Sequence, residues 1–139
     1  MSSVTKGRLL VGLCVFVALE YAFGGVAKFW EGTGPFGQDY AVRFVEWGYP
    51  SWFRYVVGAG ELVAAGLLIV PRGHVRFLGA ALLVVIMIGA SITHIANQDP
   101  LWQSISAYVH LSITVVLAWA LRTAGRDEPA VVPREPVRR

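Results

Sequence analysis

Long apolar runs alternate with short polar breaks along this chain. Four runs stand out: residues 8–29 (RLLVGLCVFVALEYAFGGVAKF), 52–70 (WFRYVVGAGELVAAGLLIV), 75–97 (VRFLGAALLVVIMIGASITHIAN) and 101–122 (LWQSISAYVHLSITVVLAWALR). Each is close to the ~20 residues that carry an α-helix across ~30 Å of hydrocarbon. Open strands would leave backbone groups unpaired in lipid, and membrane strands alternate where these runs do not. The breakers fall between the runs: Gly32, Gly34, Pro35 and Gly37, then Gly48-Tyr49-Pro50, Pro71-Arg72-Gly73 and Asn97-Gln98-Asp99-Pro100. Short second and third connections predict antiparallel neighbours. The expected fold is all-α: an integral membrane four-helix antiparallel bundle over residues 1–122.

The first connection, about residues 30–51, is longer and patterned. Within it Tyr40, Ala41, Phe44, Val45 and Trp47 share one helical side, and Asp39, Arg43 and Glu46 take the other. That pattern predicts a short helix lying in the membrane interface, with an irregular loop as the competing reading. Phe29, Trp30, Trp47, Tyr49, Trp52 and Phe53 crowd the same end, as interface aromatics do.

Composition agrees with a membrane chain. Only 15% of residues are charged, against about 25% in a soluble domain. The net charge of +3 comes from cations at the ends of apolar runs and in the tail, not from a basic helix with interleaved aromatics. Nucleic-acid binding is therefore not expected. Lys6 and Arg8 precede the first run, which continues without a small-residue cleavage site, so a retained signal-anchor helix fits better than a signal peptide. Arg72, Arg76, Arg122 and Arg126 fall on the same side as Lys6 and Arg8. By the positive-inside rule both termini face the cytoplasm. Residues 123–139, with Pro129, Pro133 and Pro136, read as a disordered cytoplasmic tail. The single cysteine, Cys14, permits no intrachain disulfide and reads as packing.

The chemistry lies in polar residues inside the apolar runs. Glu20 and Glu61 sit where no water is expected, and an intramembrane carboxylate is a functional candidate. Glu20, Gly24 and Lys28 are four apart; Gly58 and Glu61 are three apart, as are Ser91, His94 and Asn97; His110 lies four after Ser106. Spacings of three and four keep side chains on one helical face. The depths also agree, which predicts a polar pocket in the outer half of the bundle. Glu20 and Glu61 are the expected catalytic residues. Lys28, His94, His110, Asn97, Tyr21, Gly24 and Gly58 are the expected ligand-binding residues. Lys28 could instead snorkel to headgroups. The carboxylates could simply pin helices together. No metal site is expected, because neither HExxH nor Glu-x-x-His spacing occurs.

Such a set could supply an acid and a base, or hydrogen-bond the carbonyls of a quinone or another lipophilic molecule. Four short motifs stand out: FGGVAKF at 23–29, GYP at 48–50, GAGELVAAGLLIV at 58–70 and the histidine closing ASITH at 90–94. On these the chain resembles, over about residues 10–122, the DoxX/DoxD-like family of small four-helix membrane proteins. It implies a bundle in the cytoplasmic membrane. Some members resemble membrane subunits of thiosulfate:quinone oxidoreductase, and others are associated with oxidative-stress defence. Carried over by motif, Lys28, Glu61 and His94 are family positions; Glu20 and His110 are not. The expected function is binding of a quinone or similar ligand in support of a redox reaction, as a quinone-linked oxidoreductase subunit. Its expected partners are the lipid bilayer, the small lipophilic ligand, and a redox partner protein or further copies of the chain in a homo-oligomer. The rival expectations are an acid–base isomerase or hydrolase acting on a lipophilic substrate, and a non-enzymatic assembly subunit.

Overall fold

The computed structural model describes residues 3–33 and 39–124, and every regular element among them is an α-helix. Five helices follow in order: α1 Ser3–Ala27, α2 Tyr40–Glu46, α3 Phe53–Ile69, α4 Gly73–Ala96 and α5 Leu101–Ala124. Helices α1, α4 and α5 are long and apolar enough to cross a membrane. Helix α3 has 17 residues.

The helix ends follow from local chemistry. Helix α1 closes through tight bonds from Lys28, Phe29 and Trp30 to the carbonyls three residues back, at 3.0–3.2 Å. Helix α2 is capped by Asp39, whose carboxylate accepts from the Ala41 and Val42 amides. It ends in a Schellman turn: Tyr49 N–H bonds Phe44 O, Gly48 N–H bonds Val45 O, and Gly48 takes φ +83°. Helix α3 stops at Val70, before Pro71. Helix α4 ends in a second Schellman turn, in which Asp99 N–H bonds His94 O and Gln98 N–H bonds Ile95 O. Here the left-handed residue is Gln98, at φ 55°. Helix α5 continues through Thr123 and Ala124, the first two residues of the expected tail. The rest of that tail, 125–139, and the breakers Gly34, Pro35 and Gly37 lie outside the described residues.

Helix α3 packs against both α1 and α4, and α4 packs against α5, whereas α1 meets α5 only sparsely. Small residues make the close contacts. A Cβ on Gly58 would fall 2.8 Å from Gly25 O, and one on Gly79 would fall 2.8 Å from Ala64 O. From this crossing, contacts pair rising numbers on α1 with falling numbers on α3: Gly25 with Gly58, Phe29 with Tyr55, Trp30 with Arg54. An apolar core of Cys14, Val17, Ala64, Leu68, Leu83, Leu117 and Leu121 fills the half of the structure away from α2. Leu9, Leu13, Phe16, Leu19, Phe23 and Val26 of α1 point outward, as lipid contact requires.

Candidate functional site

The half of the structure nearer α2 is hollow. A cavity of about 800 Å³ lies among α1, α2, α3, α4 and α5, within the size range of small-molecule sites. Its polar wall carries Glu20, Tyr21, Lys28, Glu61, His94 and His110. Its aromatic wall carries Tyr40, Phe44, Trp47, Tyr49, Phe53 and Trp102. The residues at spacings of three and four on separate helices thus face one space.

Lys28 and Glu61 form an ion pair. The Nζ–Oε2 distance is 2.7 Å, and the side chains are 11% and 5% exposed. Helical side chains lean toward their own N-terminus. On α1 and α3, which run past each other in opposite senses, that lean carries Lys28 and Glu61 together. Lys28 also donates to Gly24 O at 3.3 Å and lies 4.9 Å from the centre of the Tyr40 ring. The snorkelling alternative for Lys28 is therefore not the arrangement adopted.

Glu20 and His110 form a second contact, from α1 to α5. His110 Nε2 lies 3.0 Å from Glu20 Oε1, and both side chains remain partly exposed. His110 Nδ1 lies 2.7 Å from Ser106 O and 3.2 Å from Ser106 Oγ. The Tyr21 ring meets the His110 ring edge to face at 5.8 Å. The Tyr21 hydroxyl is buried in the cavity wall and has no hydrogen-bond partner among the described residues.

A third cluster closes the α2 end. Asp99 Oδ2 accepts from Trp47 Nε1 at 2.8 Å and from His94 Nδ1 at 2.7 Å. An ionised carboxylate only accepts, so the proton of that contact sits on Nδ1. Burial pushes the Asp99 carboxyl up. The hydrogen bonds from His94 and Trp47 and the nearby His94 and Arg43 charges outweigh this and hold it below its ordinary value. Thr93 Oγ1 donates to Gly89 O, so Tyr49 O–H is the donor in its 2.9 Å contact with Thr93.

Gly58 and Asn97 do not join the cavity. Gly58 is buried at the α1–α3 crossing, and Asn97 is exposed at the end of α4, its amide on Thr93 O. Arg54 of α3, next to Trp52 and Phe53, is buried. It bonds Trp30 O, Glu31 and the Tyr55 hydroxyl. The bonds from Tyr55 and Arg54 hold the Glu31 carboxyl below its ordinary value. Sequence reasoning missed Asp99, because Asn-Gln-Asp-Pro reads only as turn chemistry. It became a partner of His94 through the left-handed Gln98. Among the described residues no three His, Cys, Asp or Glu side chains converge as metal ligands.

A sequence model described as the DoxX-like family matches residues 12–121 of the chain. Neither a curated protein nor a solved structure matches it.

Proposed function

From the premise that this chain belongs to the DoxX-like family, we propose that it binds a quinone or another small lipophilic ligand in the α2-end cavity and supports a redox reaction. The family and three membrane-length helices make it a multi-pass membrane protein. In the proposed arrangement α3 is a fourth span. Its 17 residues reach about 26 Å, near the shortest length that crosses hydrocarbon. The four spans then form an antiparallel bundle in the cytoplasmic membrane with both termini inside. Helix α2 lies in the outer interface, and the cavity opens in the outer half.

The buried Tyr21 hydroxyl in the cavity wall, without a hydrogen-bond partner among the described residues, carries this reading. A buried hydroxyl left unpaired costs about 1–3 kcal/mol. A ligand oxygen would supply the missing partner. The aromatic wall suits a flat ring. Electrons would come from a redox partner protein, since the sequence holds no Cys pair and its G-x-G-x-x-G string at 32–37 follows helix α1 and not the β-strand that a dinucleotide-binding motif requires.

Titration of decylubiquinone into the full chain in lipid nanodiscs tests the proposal. Trp47 and Trp102 line the cavity, so binding should quench tryptophan fluorescence saturably. Gly24→Leu, which fills the cavity, should abolish the saturable part. Gly66→Leu is the control, because nothing lies within 4 Å of a Cβ there. An unsaturable response in the wild-type protein overturns the reading. The Lys28–Glu61 pair across α1 and α3 favours a second reading, a non-enzymatic assembly subunit. On that reading Glu61→Gln lowers stability and leaves decylubiquinone binding unchanged.

A further inference from the structure

His110 faces hydrogen-bond acceptors with both ring nitrogens. Nδ1 lies 2.7 Å from the Ser106 carbonyl oxygen, and Nε2 lies 3.0 Å from Glu20 Oε1. A carbonyl oxygen has no proton to give, so the first contact is a hydrogen bond only with a hydrogen on Nδ1; donation from the Ser106 hydroxyl, 3.2 Å from the same nitrogen, would instead leave the Nδ1 lone pair against the closer carbonyl oxygen. The second contact then needs a hydrogen of its own. It sits on Nε2, making an imidazolium against a carboxylate, or on Glu20, making a carboxylic acid against a neutral ring. Rotating the ring would set carbon atoms against both oxygens and lose both contacts. In either arrangement the pair holds one proton more than a carboxylate and a neutral imidazole would.

The surroundings suit a proton held there. Glu61 lies within electrostatic reach of His110, and Glu20 and Glu61 both lie within electrostatic reach of the Tyr21 phenol. Lys28 is committed to Glu61. On α5 itself the ring's hydrogen-bond partner among the described residues is Ser106. The contact also bridges α1 and α5 where the two helices otherwise meet sparsely, and both residues line the cavity.

Building on the reading that the cavity takes a lipophilic ligand, we infer that Glu20 and His110 together form its proton-donating station, directed at a phenol- or enol-type ligand oxygen, while Lys28–Glu61 is a fixed, charge-compensated pair. In the step assigned to the station, an O–H bond forms on the ligand oxygenate. An N–H bond of His110 or the O–H bond of Glu20 breaks. A carboxylate and a neutral imidazole remain, and no electrons move.

Two measurements test this. The first needs no ligand: ¹⁵N spectra of histidine-labelled full chain in nanodiscs, with His110→Gln for assignment. Nδ1 of His110 should carry a proton, and Nε2 should either carry one as well or face a protonated Glu20. The second alternative shows as a carboxylic-acid infrared band that vanishes in Glu20→Gln. A neutral His110 with its only proton on Nε2 overturns the inference. The second measurement uses an alkylated 4-nitrophenol, whose anion is yellow. Bound to wild-type protein the anion band should be lost as the oxygen takes the proton; in Glu20→Gln it should persist. Binding with the anion band intact in the wild type overturns the inference and spares the cavity's role. If the probe does not quench tryptophan at all, the ligand-binding reading fails, and the nitrogen spectra still decide where the proton is.

Discussion

Lys28 and Glu61 each lie three residues after the glycine at which their helices touch, Gly25 on α1 and Gly58 on α3, and their charged atoms meet 2.7 Å apart. The close crossing and the ion pair are thus one structural unit. The glycines bring the backbones together, and the side chains leaning back from the next turn close the gap.

Breaking that pair from one side should cost more than removing it altogether. A buried charge left without its partner is destabilising by about 3–5 kcal/mol, whereas replacing both partners with apolar groups is often close to neutral. Lys28→Met and Glu61→Leu should each lower the unfolding midpoint in detergent. The double variant should recover most of the loss. A double variant as unstable as the sum of the two singles would show that the two residues act independently.

The crossing makes its own prediction. In Gly58→Ala the new methyl would lie 2.8 Å from Gly25 O and 2.9 Å from the Phe29 ring. The backbone oxygen cannot move aside cheaply, so α3 must shift away from α1. Overpacking of this kind costs about 1–3 kcal/mol. Gly66→Ala meets nothing within 4 Å and should gain about 0.5–1 kcal/mol from helix propensity. Equal midpoints for the two variants would contradict the close approach.

How far the sequence foretold this site depends on the residue. Glu20, Glu61 and His110 were legible because an ionisable side chain inside an apolar run has few places to go. Helical spacing then brought Gly24 and Lys28 to the same face. Gly58 shares a face with Glu61 but is spent on backbone contact, a choice that depends on where α1 crosses α3 and that spacing cannot show. Asn97 follows the His94 spacing yet lies beyond the last full turn, so its face is no longer the helix face. Asp99 was hidden for the opposite reason: a turn, not a helical repeat, carries it back to His94.

That turn stores strain. Gln98 holds φ 55°, a left-handed conformation that costs a residue with a Cβ about 1–2 kcal/mol. Gln98→Gly should therefore raise stability by up to about 1 kcal/mol, despite the greater freedom glycine adds to the unfolded chain. Chemical denaturation in detergent measures it. A loss of stability would mean that the Gln98 side chain contributes more than its backbone costs.

Asp99 links the same turn to pH. Its carboxyl is held below its ordinary value in the folded protein, so the folded state binds the proton less readily than the unfolded chain. The contribution of Asp99 is then fully present above the unfolded value of about 3.9 and is lost as the pH falls through the lower folded value. The midpoint difference between wild type and Asp99→Asn should shrink as the pH falls below about 4. A difference that grows on acidification would reverse the sign of this linkage.

Tyr21 separates stability from binding. Its hydroxyl is buried without a hydrogen-bond partner among the described residues, so removing it should not destabilise the fold. Tyr21→Phe keeps the ring that packs edge-on against His110 and discards only the unpaired group. Its unfolding midpoint without ligand should equal or exceed that of the wild type. If the hydroxyl pairs with a ligand oxygen, the same variant should bind decylubiquinone more weakly, by about 0.5–1.5 kcal/mol for one neutral hydrogen bond, a factor of about two to ten in Kd. The two signs are opposite. A purely structural Tyr21 would lower stability and leave affinity alone; a ligand-facing one raises or preserves stability and lowers affinity. Measuring midpoint and Kd on one preparation of the variant distinguishes the cases.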